Sequence, residues 1–270
     1  MDIKLAPRPK NEERRVVAVK RTGVIDGGQN DNFAIFCDVA KALTGWEYVA
    51  FSLFDENFQC KISTTNGTDN DKGERDQFNV CSYVLLSSKP TLIHDFSKDE
   101  KWKNHPALKK ESYFLGYAGF PVINKDNYAL GSFCLMNSDP SSLSKKQIGL
   151  LKGLANRIAH QIDIQTEQKE TTAASVQNVL KAFNSNVSSE SFDDLNAFLS
   201  LCLGKIIPHD EYLKLSSLGL ADYDSNKEII LSSEGTALQK KMKLQTKVMR
   251  RSIIKSEDKP ALLDDLLGEL

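Results

Sequence analysis

Residues 114–151 read FLGYAGFPVINKDNYALGSFCLMNSDPSSLSKKQIGLL, and this stretch decides the architecture of the first half of the chain. From Tyr117 to Ile123 aromatic and branched residues alternate with small ones, Asn124 to Asn127 is turn chemistry, and Tyr128 to Leu135 returns to strand composition. Two antiparallel strands are predicted. Gly116, Gly119 and Gly131 lie where a strand glycine marks a bulge or a close backbone approach, and Pro121 points to an edge position or a distortion. Asn137 to Pro140 ends the second strand. Ser144 and Gln147 then have the spacing of an N-cap and its reciprocal partner, so a helix follows.

Working toward the N-terminus, residues 1–28 read as a polar arm with a short helix through Glu12 to Arg21. Asn30 or Asp31 caps a helix carrying Phe33, Ile35, Phe36, Val39, Ala40 and Leu43, which Gly45 ends. Tyr48 to Phe54 and Phe58 to Ser63 are predicted to pair around an Asp55-Glu56-Asn57 turn. Thr64 to Asp76 is polar and reads as a mobile loop. Phe78 to Leu86 reads as a short helix, and Pro90 to His94 as a brief extended run. The mixed aromatic and charged stretch from Asp95 to Pro106 either covers a pocket or is a surface loop pinned by Trp102.

Toward the C-terminus, residues 144–169 form the strongest predicted helix. Ile148, Leu151, Ala155, Ile158 and Ile162 step by three and four, as expected of a helix lying on a sheet or of a dimer and transmission seam. Residues 166–190 read as a helical linker, and residues 191–270 as a small, mainly helical output region. In the latter, Phe192 to Leu203 and Pro208 to Leu218 are predicted helices, with Gly219 as a stop. Asp222 to Asn226 is a turn before a short strand from Glu228 to Leu231. Ser232 to Gly235 opens a helix carrying Leu238 and Met242, and Leu262 to Leu270 resembles a short docking helix.

Lys plus Arg number 35 against 36 for Asp plus Glu, so net charge gives no argument for nucleic acid, a membrane surface or a polyanionic substrate. No segment approaches the roughly 20 apolar residues of a membrane span, and the N-terminus lacks the apolar core of a secretory signal. Cys37, Cys60, Cys81, Cys134 and Cys202 are scattered and read as separate buried thiols of a reducing cytoplasm. The four histidines, His94, His105, His160 and His209, lie on separate elements without metal-ligand spacing, so no metal is expected.

The residues from 12 to 165 resemble the GAF family, in particular its bacterial sensor-type members. The resemblance rests on Arg15 to Gly28, Val49 to Glu56, Arg75-Asp76, Cys81, Ile93-His94-Asp95, Asp99, Trp102, Asn104 and Pro106. It continues in Tyr117 to Pro121, Leu130 to Leu135 and Leu143-Ser144. It implies an α+β fold over residues 29–165: a central antiparallel sheet, helices on one face that often form a dimer interface, and a ligand cavity on the other. Carried over by position, the ligand-binding candidates are Arg75, Asp76, Asp95, Asp99, Trp102, Tyr117 and Phe133. Family members bind differing ligands, so fold and function separate here. The Asn-Lys-Phe-Asp-Glu motif of cyclic-nucleotide binders is missing, as are a Cys-His pair for bilin attachment and the cysteine arrangement of free methionine sulfoxide reductases.

Tyr212 to Leu220 with Ile229 to Gly235 is weakly similar to winged-helix modules. Lys240, Lys241, Lys243, Lys247, Arg250 and Arg251 make the following segment basic and are the candidate DNA contacts. Kinase, nucleotide-binding and diguanylate cyclase motifs are missing from the tail. The expectation is therefore a non-catalytic cytoplasmic signalling protein, a homodimer with a small-molecule ligand of unknown identity and a protein partner for the C-terminal region. Two alternatives stand beside it: a ligand-responsive DNA-binding regulator, and a small-molecule redox enzyme using Cys81 or Cys134.

Overall fold

The computed structural model describes residues 5–27, 31–105, 114–188 and 191–244. The chain divides into two units, residues 1–171 and 172–270.

In the first unit, helix α1 spans Glu12–Thr22, with acidic residues in its first turn, basic ones in its last, and Gly23 in the left-handed conformation closing it. A 3-10 turn, Asp31–Phe33, leads into α2, Ala34–Thr44, which Gly45 ends at φ 71°. Strands β1, Tyr48–Phe54, and β2, Phe58–Thr64, form the predicted hairpin; the Asp55 carboxylate accepts from the amides of Asn57 and Phe58 in its turn. The segment expected to be a loop through Asp76 contains a short edge strand, β3, Lys72–Glu74, because its backbone reaches the open side of β2. The predicted helix ending at Leu86 is a 3-10 helix, Val80–Leu86, capped by the Asn79 side chain.

Strand β4 is Thr91–Ile93, and the decisive hairpin comprises β5, Gly116–Ile123, and β6, Ala129–Asn137. All pairings are antiparallel, and the six strands lie in the order β3-β2-β1-β6-β5-β4. The mixed helix and sheet class expected from the sequence is thus the observed one. Pairing with β4 extends along β5 only from Tyr117 to Gly119, so Pro121 sits where its missing N–H costs no ladder bond on that side. Gly131 permits the closest strand approach: a Cβ there would lie 2.0 Å from the Ser52 carbonyl oxygen.

Helix α3, Lys145–Asn186, opens with the predicted capping box, Ser144 and Gln147 each bonding the other's amide at 3.0 and 3.2 Å. Leu151, Ala155, Ile158 and Ile162 are buried against Val49, Phe51, Phe120, Phe133 and Leu135 of the sheet, with Ile148 at the margin. Leu151, Ala155, Ile158 and Ile162 are therefore spent inside their own unit and are not open as a dimer seam, whereas Ile148 is half-buried. The helix also runs well past residue 169. No glycine or proline occurs from Leu154 to Leu203, and between residues 167 and 177 every residue is exposed, so the helix is held there by intrahelical bonds, local propensity and exposed polar contacts such as Arg21 with Glu170 and Lys169 with the Thr22 carbonyl.

The second unit has its own core, in which Phe183, Phe198, Leu201, Leu215, Leu238 and Met242 meet. It comprises α4, Phe192–Cys202; α5, His209–Ser217; a hairpin of β7, Ala221–Tyr223, and β8, Ile229–Leu231; and α6, Ser233–Lys241. Strand β7 includes Asp222 and Tyr223, which were expected to belong to the turn; pairing with β8 recruits them. Gly219 stops the second helix at φ 73°, as expected. The predicted docking helix at 262–270, with Lys247, Arg250 and Arg251, lies outside the described residues.

Gly131→Ala is expected to lower the unfolding free energy of the first unit by about 3 kcal/mol. Gly153→Ala, on an exposed helical position where a Cβ meets nothing within 4 Å, is expected to raise it by about 1 kcal/mol. Denaturant unfolding of the two variants beside the parent chain measures both.

Candidate functional site

The two faces of the sheet differ in what covers them. On one face lie Val49, Phe51, Leu53, Phe133 and Leu135 beneath the helices. On the other lie Ala50, Phe54, Tyr117 and Cys134, with Tyr48 and Met136 beside them and the 3-10 helix packed over one end. Because side chains alternate along a strand, the register Ala50↔Cys134 and Tyr48↔Met136 puts these residues together, and Tyr117↔Met136 adds the tyrosine of β5.

A cavity of about 480 Å³ opens on this second face. Tyr48, Phe78, Phe96, Phe114, Tyr117 and Met136 give it aromatic and thioether walls. Gln59, Lys61, Glu74, Asp76 and Asn79 supply the polar groups, and Cys81 and Cys134 also line it. A volume of this order, mainly apolar with a few placed polar groups, suits a small organic molecule. Several polar groups are already oriented. Asn79 Nδ2 donates to Gln59 Oε1 at 2.7 Å, and Gln59 Nε2 donates to Ser52 Oγ at 2.9 Å. Lys61 Nζ lies 3.4 Å from the Asp71 carboxylate.

Of the seven ligand-binding candidates, the structure places Asp76 and Tyr117 at the cavity. Asp76 accepts from the Phe78 amide at 2.9 Å and so also holds the wall in place. Burial pushes the Tyr117 hydroxyl well above its ordinary value. Phe133 belongs to the opposite face, because β5 pairs Phe120 with Phe133 and Tyr117 with Met136. Trp102 stands behind the wall, edge-on to Phe96 at 5.7 Å and to Tyr83 at 5.0 Å. Asp99 accepts from the amides of Lys101 and Trp102, and Asp95 accepts from the amide and hydroxyl of Ser97. The Ser97 hydroxyl, with Lys98 adding to it, holds the Asp95 carboxyl below its ordinary value. These two aspartates shape the loop.

Arg75 is turned away into a buried ionic cluster. Its Nη1 donates to Glu12 Oε1 and to the Asp55 carbonyl, both at 2.5 Å, while its guanidinium lies 5.6 Å from the Phe54 ring centroid. Arg15 donates to both Glu12 oxygens and to the Phe54 carbonyl at 2.7 Å. One carboxylate thus joins two buried guanidiniums and ties α1 to the β1–β2 turn. Burial lowers the Arg75 pKa against the pull of Glu12. For Glu12, burial acts upward, but the hydrogen bonds from Arg15 and Arg75 outweigh it and hold the carboxyl below its ordinary value.

The sequence reading missed the pairing of Cys81 and Cys134, whose Sγ atoms lie 3.6 Å apart. The scattered thiols are not all separate. Strand parity was the available signal for half of it, since Cys134 and Met136 share a face; the position of Cys81 depends on how the 3-10 helix folds back. Among the described residues no cluster of three or more His, Cys, Asp or Glu is arranged to hold a metal ion. Nor is any helix long and apolar enough to cross a membrane among them.

An antiparallel sheet with α-helices on one face and a cavity on the other makes this an α+β domain. Residues 30–162 match the family model of the GAF domain, and this part of the chain is a GAF domain, a family of signalling sensors. A cyclic di-GMP phosphodiesterase of Pseudomonas aeruginosa is 22% identical over 157 residues, covering 58% of this chain and 26% of that protein. The chain therefore spans about a quarter of that relative's length. Similar solved structures include the blue-light-absorbing form of the Thermosynechococcus elongatus PixJ GAF domain, 14% identical with a TM-score of 0.45 over 61% of this chain and 95% of that one. Another is the GAF domain of an Acinetobacter phosphoenolpyruvate-protein phosphotransferase, 14% identical with a TM-score of 0.42 over 57% and 93%.

Removing the shared carboxylate leaves two guanidiniums buried without their counter-charge, so Glu12→Ala is expected to cost about 3 kcal/mol at neutral pH. Because the folded pKa of Glu12 lies below its ordinary value of 4.5, its contribution is complete above that pH and is lost as pH falls through the folded value. Unfolding curves from pH 7 down to pH 3 check this: stability of the Glu12→Gln variant should fall less steeply than that of the parent over the acidic limb.

Proposed function

We propose that the GAF domain is a non-catalytic small-molecule sensor of a cytoplasmic signalling protein, and that residues 172–270 form the region that reports its state. The observation that carries this reading is the cavity of about 480 Å³ on the face opposite the α-helices, with aromatic walls and oriented amide and carboxylate groups. A flat organic ligand with a polar group directed toward Lys61, Glu74 and Asp76 suits such walls. The 3-10 helix and the Asp95 to His105 loop, packed through Phe96 and Trp102, are the elements that an occupant would press upon.

For the C-terminal unit a protein partner is the better-supported reader. Phe192, Leu203, Ile206 and Leu213 are exposed there, Ile206 almost completely. Of the proposed DNA contacts, Lys240, Lys241 and Lys243 are exposed, and Lys241 donates to Asn186. A homodimer would use surfaces other than the buried α3 stripe, such as the face bearing exposed Leu150. The phosphodiesterase activity named for the Pseudomonas relative stays with that protein.

Native mass spectrometry of the full-length chain, after incubation with a small-metabolite extract, tests the sensor. An adduct of defined mass is expected on the parent chain. Gly73 pairs with Gln59 on the cavity side, and a Cβ there meets nothing within 4 Å, so Gly73→Phe should fold normally and reduce adduct formation at least about tenfold. An adduct unaffected by Gly73→Phe would place the ligand elsewhere and sink this reading.

A further inference from the structure

Two thiols meet at the buried end of the cavity. Cys81 lies on the 3-10 helix and Cys134 near the middle of β6, 53 positions further along the chain, and their Sγ atoms share a hydrogen bond at 3.6 Å. Both are buried from bulk solvent, yet both line the cavity. The other cysteines differ: Cys37 donates to the Ser63 carbonyl, and burial pushes its thiol and that of Cys202 up to about 11. An S–S bond of about 2.05 Å would require the Cys81 and Cys134 sulfurs to approach by about 1.5 Å. That is the scale of a side-chain rotation with a small shift of the short 3-10 helix Val80–Leu86.

The surroundings favour ionisation at one of the two sulfurs. The hydrogen bond with Cys134 lowers the Cys81 pKa against the effect of burial and raises that of Cys134, so Cys81 gives up its proton first. Tyr117 Oη and Ser132 Oγ are buried without a hydrogen bond of ordinary geometry, but both lie beside the sulfurs and favour the Cys81 thiolate. A thiolate, a second thiol in contact and a cavity leading to both are the parts of a reactive dithiol.

We propose that Cys81 and Cys134 form a redox site at which a small hydroperoxide entering the cavity oxidises the pair to a disulfide. The Cys81 thiolate attacks the terminal peroxide oxygen; the O–O bond breaks, the sulfur becomes a sulfenic acid, and the departing alkoxide or hydroxide takes a proton to leave as alcohol or water. The Cys134 sulfur then attacks the sulfenic sulfur, forming the S–S bond and releasing water. Two thiols are oxidised by two electrons, and one peroxide is reduced. The disulfide draws the 3-10 helix toward β6 and reshapes the cavity between them, so the oxidised and reduced domains present different pockets. This goes beyond the sensor reading and requires no organic ligand.

The reduced full-length chain is exposed to graded hydrogen peroxide, blocked with a maleimide, and analysed by intact mass and peptide mapping. The expected result is a blocked chain carrying two maleimides fewer than the reduced control, a linked peptide pair containing Cys81 and Cys134, and reversal by a thiol reductant. In Cys134→Ser that linkage is lost, and Cys81 accumulates a sulfenic acid trapped by dimedone. Absence of the linkage at any peroxide concentration, or earlier oxidation of Cys37, Cys60 or Cys202 in the parent chain, would overturn the site. The parent chain alone decides this, so a variant that fails to fold leaves the test intact. Failure would leave the small-molecule reading standing, and failure to find an adduct would not affect the mapping.

Discussion

The constraint on which the first unit depends is the register between β1 and β6, the two central strands of its sheet. Ala50↔Cys134 and Phe51↔Phe133 are successive pairs, so each step along the ladder sends one pair to the helices and the next to the cavity. A slip by one residue would turn Phe51, Phe133 and Leu135 out of the helical core and replace them with Ser52, Ser132 and Cys134. The chain holds this register partly by contact too close for any side chain, with Gly131 against the Ser52 carbonyl. Fold and site are thus specified by the same set of pairings.

The ionic cluster works at the far end of β1. Arg15 and Arg75 are almost fully buried and Glu12 is partly exposed, so desolvation works against the charged groups. What makes the arrangement tolerable is that the guanidiniums also donate to the Phe54 and Asp55 carbonyls, satisfying backbone groups at the hairpin turn. A buried ion pair of this kind adds little net stability over an apolar substitute. Its effect is to define where α1 docks, and the exposed partners of α1 follow from that. Arg21, for example, reaches Glu170 on α3.

Much of this was legible in the chain because local rules and tertiary structure agree. The hairpins around Asp55 and Asn124, the capping box at Ser144 and the glycine stops at 45 and 219 arise from neighbouring residues and appear as expected. The failures have one physical cause, which is long-range placement. β3 exists only because β2 offers it an edge, and Arg75 leaves the pocket because Glu12, 63 positions earlier, lies close by. Phe133 looked like a pocket aromatic beside Tyr117; only the pairing register reveals that the two point to opposite faces.

The distribution of unsatisfied groups bears on the cavity side of the sheet. Tyr117 Oη, Ser82 Oγ and Ser132 Oγ are buried without hydrogen-bond partners, and all belong to the strands or 3-10 helix that hold the two thiols. Each such hydroxyl costs about 1–3 kcal/mol relative to a satisfied one. Apolar residues of the same size would remove that cost, and Phe120 and Phe133 show that the helical face of the same strands is built in that way. Of the three, Tyr117 lines the cavity, while Ser63 Oγ on β2, paired with Phe51, is unsatisfied in the same way, so these hydroxyls gather around the two thiols without being confined to that face. The asymmetry between the two faces is therefore chemical as well as geometric: the helical face is packed mainly with aliphatic and aromatic side chains, and the other gathers Tyr117 and the two thiols at a cavity.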